Sequence, residues 1–190
     1  VDIIDLEKAE DLLNKALEYV SELAKQNKKI LFVGIKPEAK KVTQEVALSL
    51  DMPFVTERWI GGALTNWGEI KKRIARLEEL RSKKEKGELD MYTKKERLLI
   101  VQEIEKMTKN FGGLTNLTKT PDVMFVVDSK REAIAITEAR KSGVPVIAIA
   151  NTDCNIKEVD YPIVANDATV LSVSYILNLV KEAYNKGKTA

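Results

Sequence analysis

The sequence predicts a doubly wound α/β domain on three observations. Five short apolar runs are rich in β-branched residues, amphipathic helical patterns alternate with them, and two long charged helical patterns stand where one crossover helix is due. A run that stays apolar at every position reads as a strand covered on both faces, the condition of a parallel sheet. A length of 190 residues with 44% hydrophobic content suffices for one such core.

In chain order, an amphipathic pattern from Leu6 to Gln26 leads to the first strand, Ile30 to Gly34. Pro37 suits a first helical position, because its ring presets φ and its missing N–H is one that a helix start leaves unpaired; the helix runs to Leu50. The second strand is Pro53 to Thr56 and the third Val123 to Asp128. Ser129 with Glu132 then makes a capping-box pattern for a helix from Arg131 to Ser142. Gly143-Val144-Pro145 stops that helix and opens the fourth strand, Val144 to Ala150. The fifth strand is Pro162 to Ala165, and Asn166 or Asp167 caps a last helix from Asp167 to Tyr184.

Residues 66 to 111 break the alternation. Ile70, Ile74, Leu77 and Leu80 line one arm and Ile100, Ile104, Met107 and Phe111 the other, narrow stripes that pair two antiparallel helices as an inserted coiled-coil hairpin rather than face a globular core. Asn66 with Glu69 and Thr93 with Glu96 are helix-start patterns, and Gly87-Glu88-Leu89-Asp90 suits the turn. At about 1.5 Å per residue, arms of about 18 to 20 residues reach roughly 27 to 30 Å, so the hairpin is expected to protrude from a single domain of residues 1–190.

Composition excludes several chemistries. With no histidine, the chain by itself carries no Ser-His-Asp triad, Cys-His pair or usual zinc site. Its one cysteine, Cys154, has no partner for a disulfide or metal site and fits a reducing compartment. No run of about 18 apolar residues exists, and Val1-Asp2-Ile3-Ile4-Asp5 reads as neither a secretory signal nor a transit peptide.

The net charge of +2 says little, but its distribution says more. Residues 66–111 hold 13 Lys and Arg against 9 Asp and Glu, leaving 18 against 20 elsewhere. The excess sits on the first arm, where Lys71, Lys72, Arg73, Arg76 and Arg81 form an edge suited to phosphates. A solvated helix face with i,i+4 pairs is the competing reading. Before the hairpin, Glu57-Arg58-Trp59-Ile60-Gly61-Gly62-Ala63-Leu64-Thr65-Asn66-Trp67 lies at the carboxyl end of the second strand, where open α/β sheets place ligands. Arg58 can fork onto a phosphate, Trp59 can stack on a base, Gly61 and Gly62 admit close backbone approach, and Thr65 and Asn66 offer hydrogen bonds. For either Trp59 or Trp67 singly, burial as a hairpin anchor is the favoured alternative. Val33-Gly34-Ile35-Lys36-Pro37 lacks the glycines of a dinucleotide loop and the Gly-Lys-Ser/Thr ending of a phosphate loop, leaving Lys36 as a candidate RNA contact.

Arg58-Trp59-Ile60-Gly61-Gly62-Ala63-Leu64-Thr65-Asn66, the basic hairpin, Gly112-Gly113-Leu114 and Pro121-Asp122-Val123-Met124-Phe125-Val126-Val127-Asp128 closely resemble the family of protein two of the small ribosomal subunit, bacterial or organellar type. Ile3-Ile4-Asp5-Leu6 and the run from Glu132 to Val146 continue the match over nearly the whole chain. The resemblance implies a flavodoxin-like fold with a protruding coiled-coil hairpin and no catalytic activity or cofactor. It further implies binding to small-subunit ribosomal RNA late in assembly, between head and body on the solvent side. Other small-subunit proteins, protein one among them, are the implied protein partners, and a cytoplasmic or organellar ribosome the implied location. The family's stretch before Ile-Ile-Asp-Leu is not in this sequence, and Ile35 and Ala63 depart from the usual small polar and larger apolar residues.

Two other classes compete. One is a flavodoxin-like enzyme holding magnesium through Asp128, Asp153 and Asp167, against which the missing phosphate loop argues. The other is a protein-interaction module in which the hairpin docks a protein and RNA is incidental.

Overall fold

A computed structural model describes residues 3–189; Val1, Asp2 and Ala190 lie outside it, and with them the first residues of the stretch that reads as no signal. Strands β1 (Ile30–Val33), β2 (Phe54–Val55), β3 (Val123–Val127), β4 (Val146–Ala150) and β5 (Tyr161–Val164) form one all-parallel sheet in the order β2-β1-β3-β4-β5. That is the flavodoxin-like order, whose switch point lies between β1 and β3. Six α-helices surround it: α1 (Leu6–Lys25), α2 (Pro37–Ser49), α3 (Trp67–Glu85), α4 (Lys94–Phe111), α5 (Ala133–Lys141) and α6 (Val170–Thr189).

The period of two along each strand divides the core between two faces. Ile30 and Phe32 of β1, Val123, Phe125 and Val127 of β3, and Ile147 and Ile149 of β4 pack under α1, α2 and α6. Leu31, Val33, Met124, Val126, Val146 and Ala148 point the other way, into a cluster with α3, α4 and α5. Every residue of β1, β3 and β4 is buried, which is why each reads as an uninterrupted apolar run.

The sequence reading confines the hairpin stripes to contacts between the arms. In the fold, Ile70, Ile74, Leu77, Leu80, Ile104 and Phe111 are continuous with the core beneath them. The reason is topological: α3 and α4 stand in for the crossover helix, so part of the pair must cover the sheet face that α1, α2 and α6 leave open. Gly87 turns the chain between the arms at φ 73°, and Thr93 and Glu96 close the expected capping box on α4. Asn66 takes the cap position of α3 at φ −128°, ψ 49°, outside the extended conformation of a usual cap, and makes no side-chain cap bond, while the Glu69 side chain pairs with Lys72.

Two other helix starts also differ. The Ser129–Glu132 capping box does not form; α5 begins at Ala133, and Ser129 Oγ is buried without a partner. Asp128 takes that role, adopting φ 69° and accepting the Arg131 N–H on Oδ1 and the Glu132 N–H on its carbonyl. Asp167 does not cap α6, because its side chain turns inward, and the start moves to Val170 with Thr169 Oγ1 accepting the Ser172 N–H.

Gly113, just beyond α4, lies against β2: a Cβ there would overlap the Phe54 carbonyl oxygen and ring. Gly113→Ala is therefore expected to destabilise the fold by about 2 to 3 kcal/mol through overpacking against backbone that cannot step aside. A urea midpoint equal to that of the parent chain would contradict this close approach.

Candidate nucleic-acid interface

The loop from Glu57 to Asn66 is fixed by one buried carboxylate. Glu138 of α5 accepts the Gly62 N–H at 2.8 Å and the Trp59 indole N–H at 3.3 Å on Oε1, and the Leu64 N–H at 3.2 Å on Oε2. Gly62 makes this possible at φ 87°, a conformation that a side chain would strain. Trp59, Ala63 and Leu64 are buried, while Arg58, Gly61, Thr65 and Asn66 are exposed and Gly62 is half-buried. The Trp59 ring is thus a floor for the loop, with its polar edge bonded and its faces inside the core. Trp67 also packs on that core, its indole N–H buried without a partner.

Directly after this clamp, α3 presents Lys71, Lys72, Arg73 and Arg76 on its exposed side. Lys72 pairs with Glu69 at 2.6 Å and Arg76 with Glu79 at 3.1 Å. Among the described residues, Arg58, Lys71 and Arg73 have no ion-pair partner. Lys72, Arg73 and Arg76 line a groove between α3 and α4 that Lys106 completes from the other side. Arg81 is turned differently: its Nη2 donates to Thr108 Oγ1 at 3.0 Å and ties the two arms together.

Lys36 lies apart from these groups. Its Nζ sits 3.1 Å from Asp167 Oδ1 and 3.4 Å from Asp128 Oδ2, bridging the ends of β1, β3 and β5. Burial opposes its charge, but the bonds and charges of Asp167 and Asp128 prevail and hold it above the usual lysine range. Asp153, the third carboxylate of the magnesium reading, is elsewhere, paired with Lys130 at 2.8 Å. Among the described residues, no group of three or more carboxylates or cysteines is placed to share a metal ion.

Glu138 carries the loop geometry, yet nothing in the local sequence singles it out. On α5 Ile134 is exposed and Glu138 buried, the reverse of their hydropathies. Glu132, read from the sequence as the carboxylate of a capping box, is a second buried carboxyl. Burial raises it to about 7, with Arg131 opposing and Asp128 reinforcing the shift. A glutamate raised from 4.5 in this way contributes stability that is fully present below pH about 4.5 and is lost as the pH rises through about 7. The loss is on the order of 3 kcal/mol. Denaturant titrations at pH 4.5 and pH 8 should show that fall in the parent chain and a much flatter dependence in Glu132→Gln; equal pH dependence in the two would contradict the assignment.

Among the described residues, no helix is long and apolar enough to cross a membrane. The family model for Ribosomal protein S2 matches residues 1–187. The small ribosomal subunit protein uS2 of Leifsonia xyli subsp. xyli is 42% identical over 97% of this chain and 62% of its own length. That of Acidothermus cellulolyticus is 40% identical over 99% of this chain and 69% of its own length. The small ribosomal subunit protein uS2c of Rhodomonas salina is 40% identical over 98% and 77%, respectively. The chain therefore spans about three fifths to three quarters of the length of these relatives.

Proposed function

The chain belongs to the ribosomal protein S2 family, a family of structural rather than enzymatic proteins, and we propose from that premise that it is a constituent of the small ribosomal subunit. In this reading it binds small-subunit ribosomal RNA and neighbouring ribosomal proteins, protein one of the small subunit among them, on a cytoplasmic or organellar ribosome. It thereby contributes to subunit assembly and translation. Residues 1–190 act as a single α/β domain, the body wedged between RNA segments and the hairpin of residues 66–111 a protruding coiled-coil docking arm.

The observation that carries this reading is the exposed cationic edge of Lys71, Lys72, Arg73 and Arg76 immediately beside a loop held rigid by Glu138. Such an edge meets phosphates and the shape of an RNA helix without needing base-specific contacts. Arg58, Gly61, Thr65 and Asn66 extend the surface, with Gly62 shaping it. Trp59 and Arg81 support it through the internal bonds described above, whereas Lys36 stands apart from it, paired with Asp128 and Asp167.

The test is reconstitution. Added to small subunits depleted of their own member of the family, the chain should co-sediment with them at one copy per subunit. Salt-insensitive capture by a ribosomal protein, with no uptake by the ribosomal RNA, would contradict the proposal in favour of a protein-interaction module.

A further inference from the structure

A polar recess lies between the end of β2, α2 and the two hairpin helices, with Thr56 and Glu57 on one side and Arg81, Thr108 and Lys109 on the other. Two ammonium groups reach the same carboxylate oxygen from different elements. Lys40 Nζ of α2 is 3.2 Å and Lys109 Nζ of α4 is 3.6 Å from Glu57 Oε2. Arg81 adds a guanidinium at the Thr108 side. Two lysines share one carboxylate oxygen of Glu57, Lys40 from just outside the recess and Lys109 from its lining, and Arg81 lines it as well, so the positive charges around the recess outnumber the one carboxylate.

The Glu57 carboxylate is itself partly exposed and, among the described residues, is held by these two lysines alone, so an external anion can exchange with it at little cost. A phosphate diester offers two unesterified oxygens, one for each ammonium group, where Glu57 shares a single oxygen. Lysine and arginine together, with hydroxyl donors such as Thr56 and Thr108 beside them, are the donor set that phosphates favour.

We propose that this recess seats a phosphate of an RNA backbone, with Lys40 and Lys109 as its cationic partners and Glu57 as an internal competitor that the phosphate displaces. The inference rests on the RNA-binding reading and adds to it a phosphate site distinct from the Lys71 to Arg76 edge.

The test compares the full chain with Lys40→Gln/Lys109→Gln and with Glu57→Gln, each titrated with small-subunit ribosomal RNA over a range of salt. The double variant should engage one phosphate fewer, lowering the salt slope by about 0.7 to 0.9 and weakening binding about five- to eightfold at 0.1 M salt. Glu57→Gln should act in the opposite sense and tighten binding several-fold, which a merely structural role for these residues would not produce. Urea midpoints close to the parent value establish that both variants are folded. Parent-like RNA binding by both variants overturns the recess alone. Failure of the parent chain to bind the RNA overturns the RNA-binding reading itself. Millimolar inorganic phosphate supplies the remaining arm: if it stabilises the parent but not the double variant, while both bind RNA equally, the recess holds free phosphate and the backbone assignment is wrong.

Discussion

Glu138→Ala is expected to destabilise the chain by about 3 to 5 kcal/mol, since it strips one acceptor group from three donors at once. The indole N–H of Trp59 and the backbone N–H of Leu64 are buried, and that of Gly62 partly so, which leaves them little water to replace the carboxylate. Each orphaned buried donor costs about 1 to 3 kcal/mol, and partial opening of the loop limits the total. Glu138→Gln should cost roughly half as much. An amide oxygen in the Oε1 position still serves Trp59 and Gly62, but the amide NH2 then faces the Leu64 N–H, donor against donor. The measurement is urea unfolding followed by tryptophan fluorescence. Both variants should shift the midpoint, and Glu138→Ala should also move the native emission to longer wavelength as the Trp59 ring meets water. A parent-like midpoint and spectrum would show that the loop is held by something other than this clamp.

The second large effect concerns binding. Replacing Lys71, Lys72, Arg73 and Arg76 together with Gln should lower the salt slope of RNA binding by up to about 3, at about 0.7 to 0.9 for each phosphate no longer neutralised. Between 1 M and 0.1 M salt a slope change of that size corresponds to as much as about a thousandfold in affinity. The fold should not suffer: Lys72 with Glu69 and Arg76 with Glu79 are exposed pairs within one helix, and such pairs contribute about 0 to 1 kcal/mol. Reduced affinity with an unchanged urea midpoint is thus the expected combination. An unchanged slope would remove this edge from the interface.

The sheet was legible in the sequence because β1, β3 and β4 are covered on both faces, so that burial leaves its mark at every position. The helix α3 was legible because Ile70, Ile74, Leu77 and Leu80 keep a helical period through an otherwise charged stretch. What escaped depends on partners remote in sequence. Lys36 occupies the position of a phosphate ligand after β1, and only the fold shows that Asp128, 92 residues away, and Asp167 claim its charge. Glu138 escaped for the same reason: its three donors lie 74 to 79 residues earlier, and without them a glutamate on that face of α5 has no reason to be inside. The start of α6 differs from its local pattern because Asp167 is drawn to Lys36, and that of α5 because Asp128 rather than Ser129 accepts the first free N–H groups.

Membership in the S2 family and the cationic edge of α3 together make one central claim, that this chain docks on small-subunit ribosomal RNA through phosphate contacts. Its most direct test is an equilibrium titration of the chain with that RNA as a function of salt. Specific, saturable binding whose affinity falls steeply and log-linearly as salt rises is the expected result. Binding that is absent, or present but indifferent to salt, would contradict it.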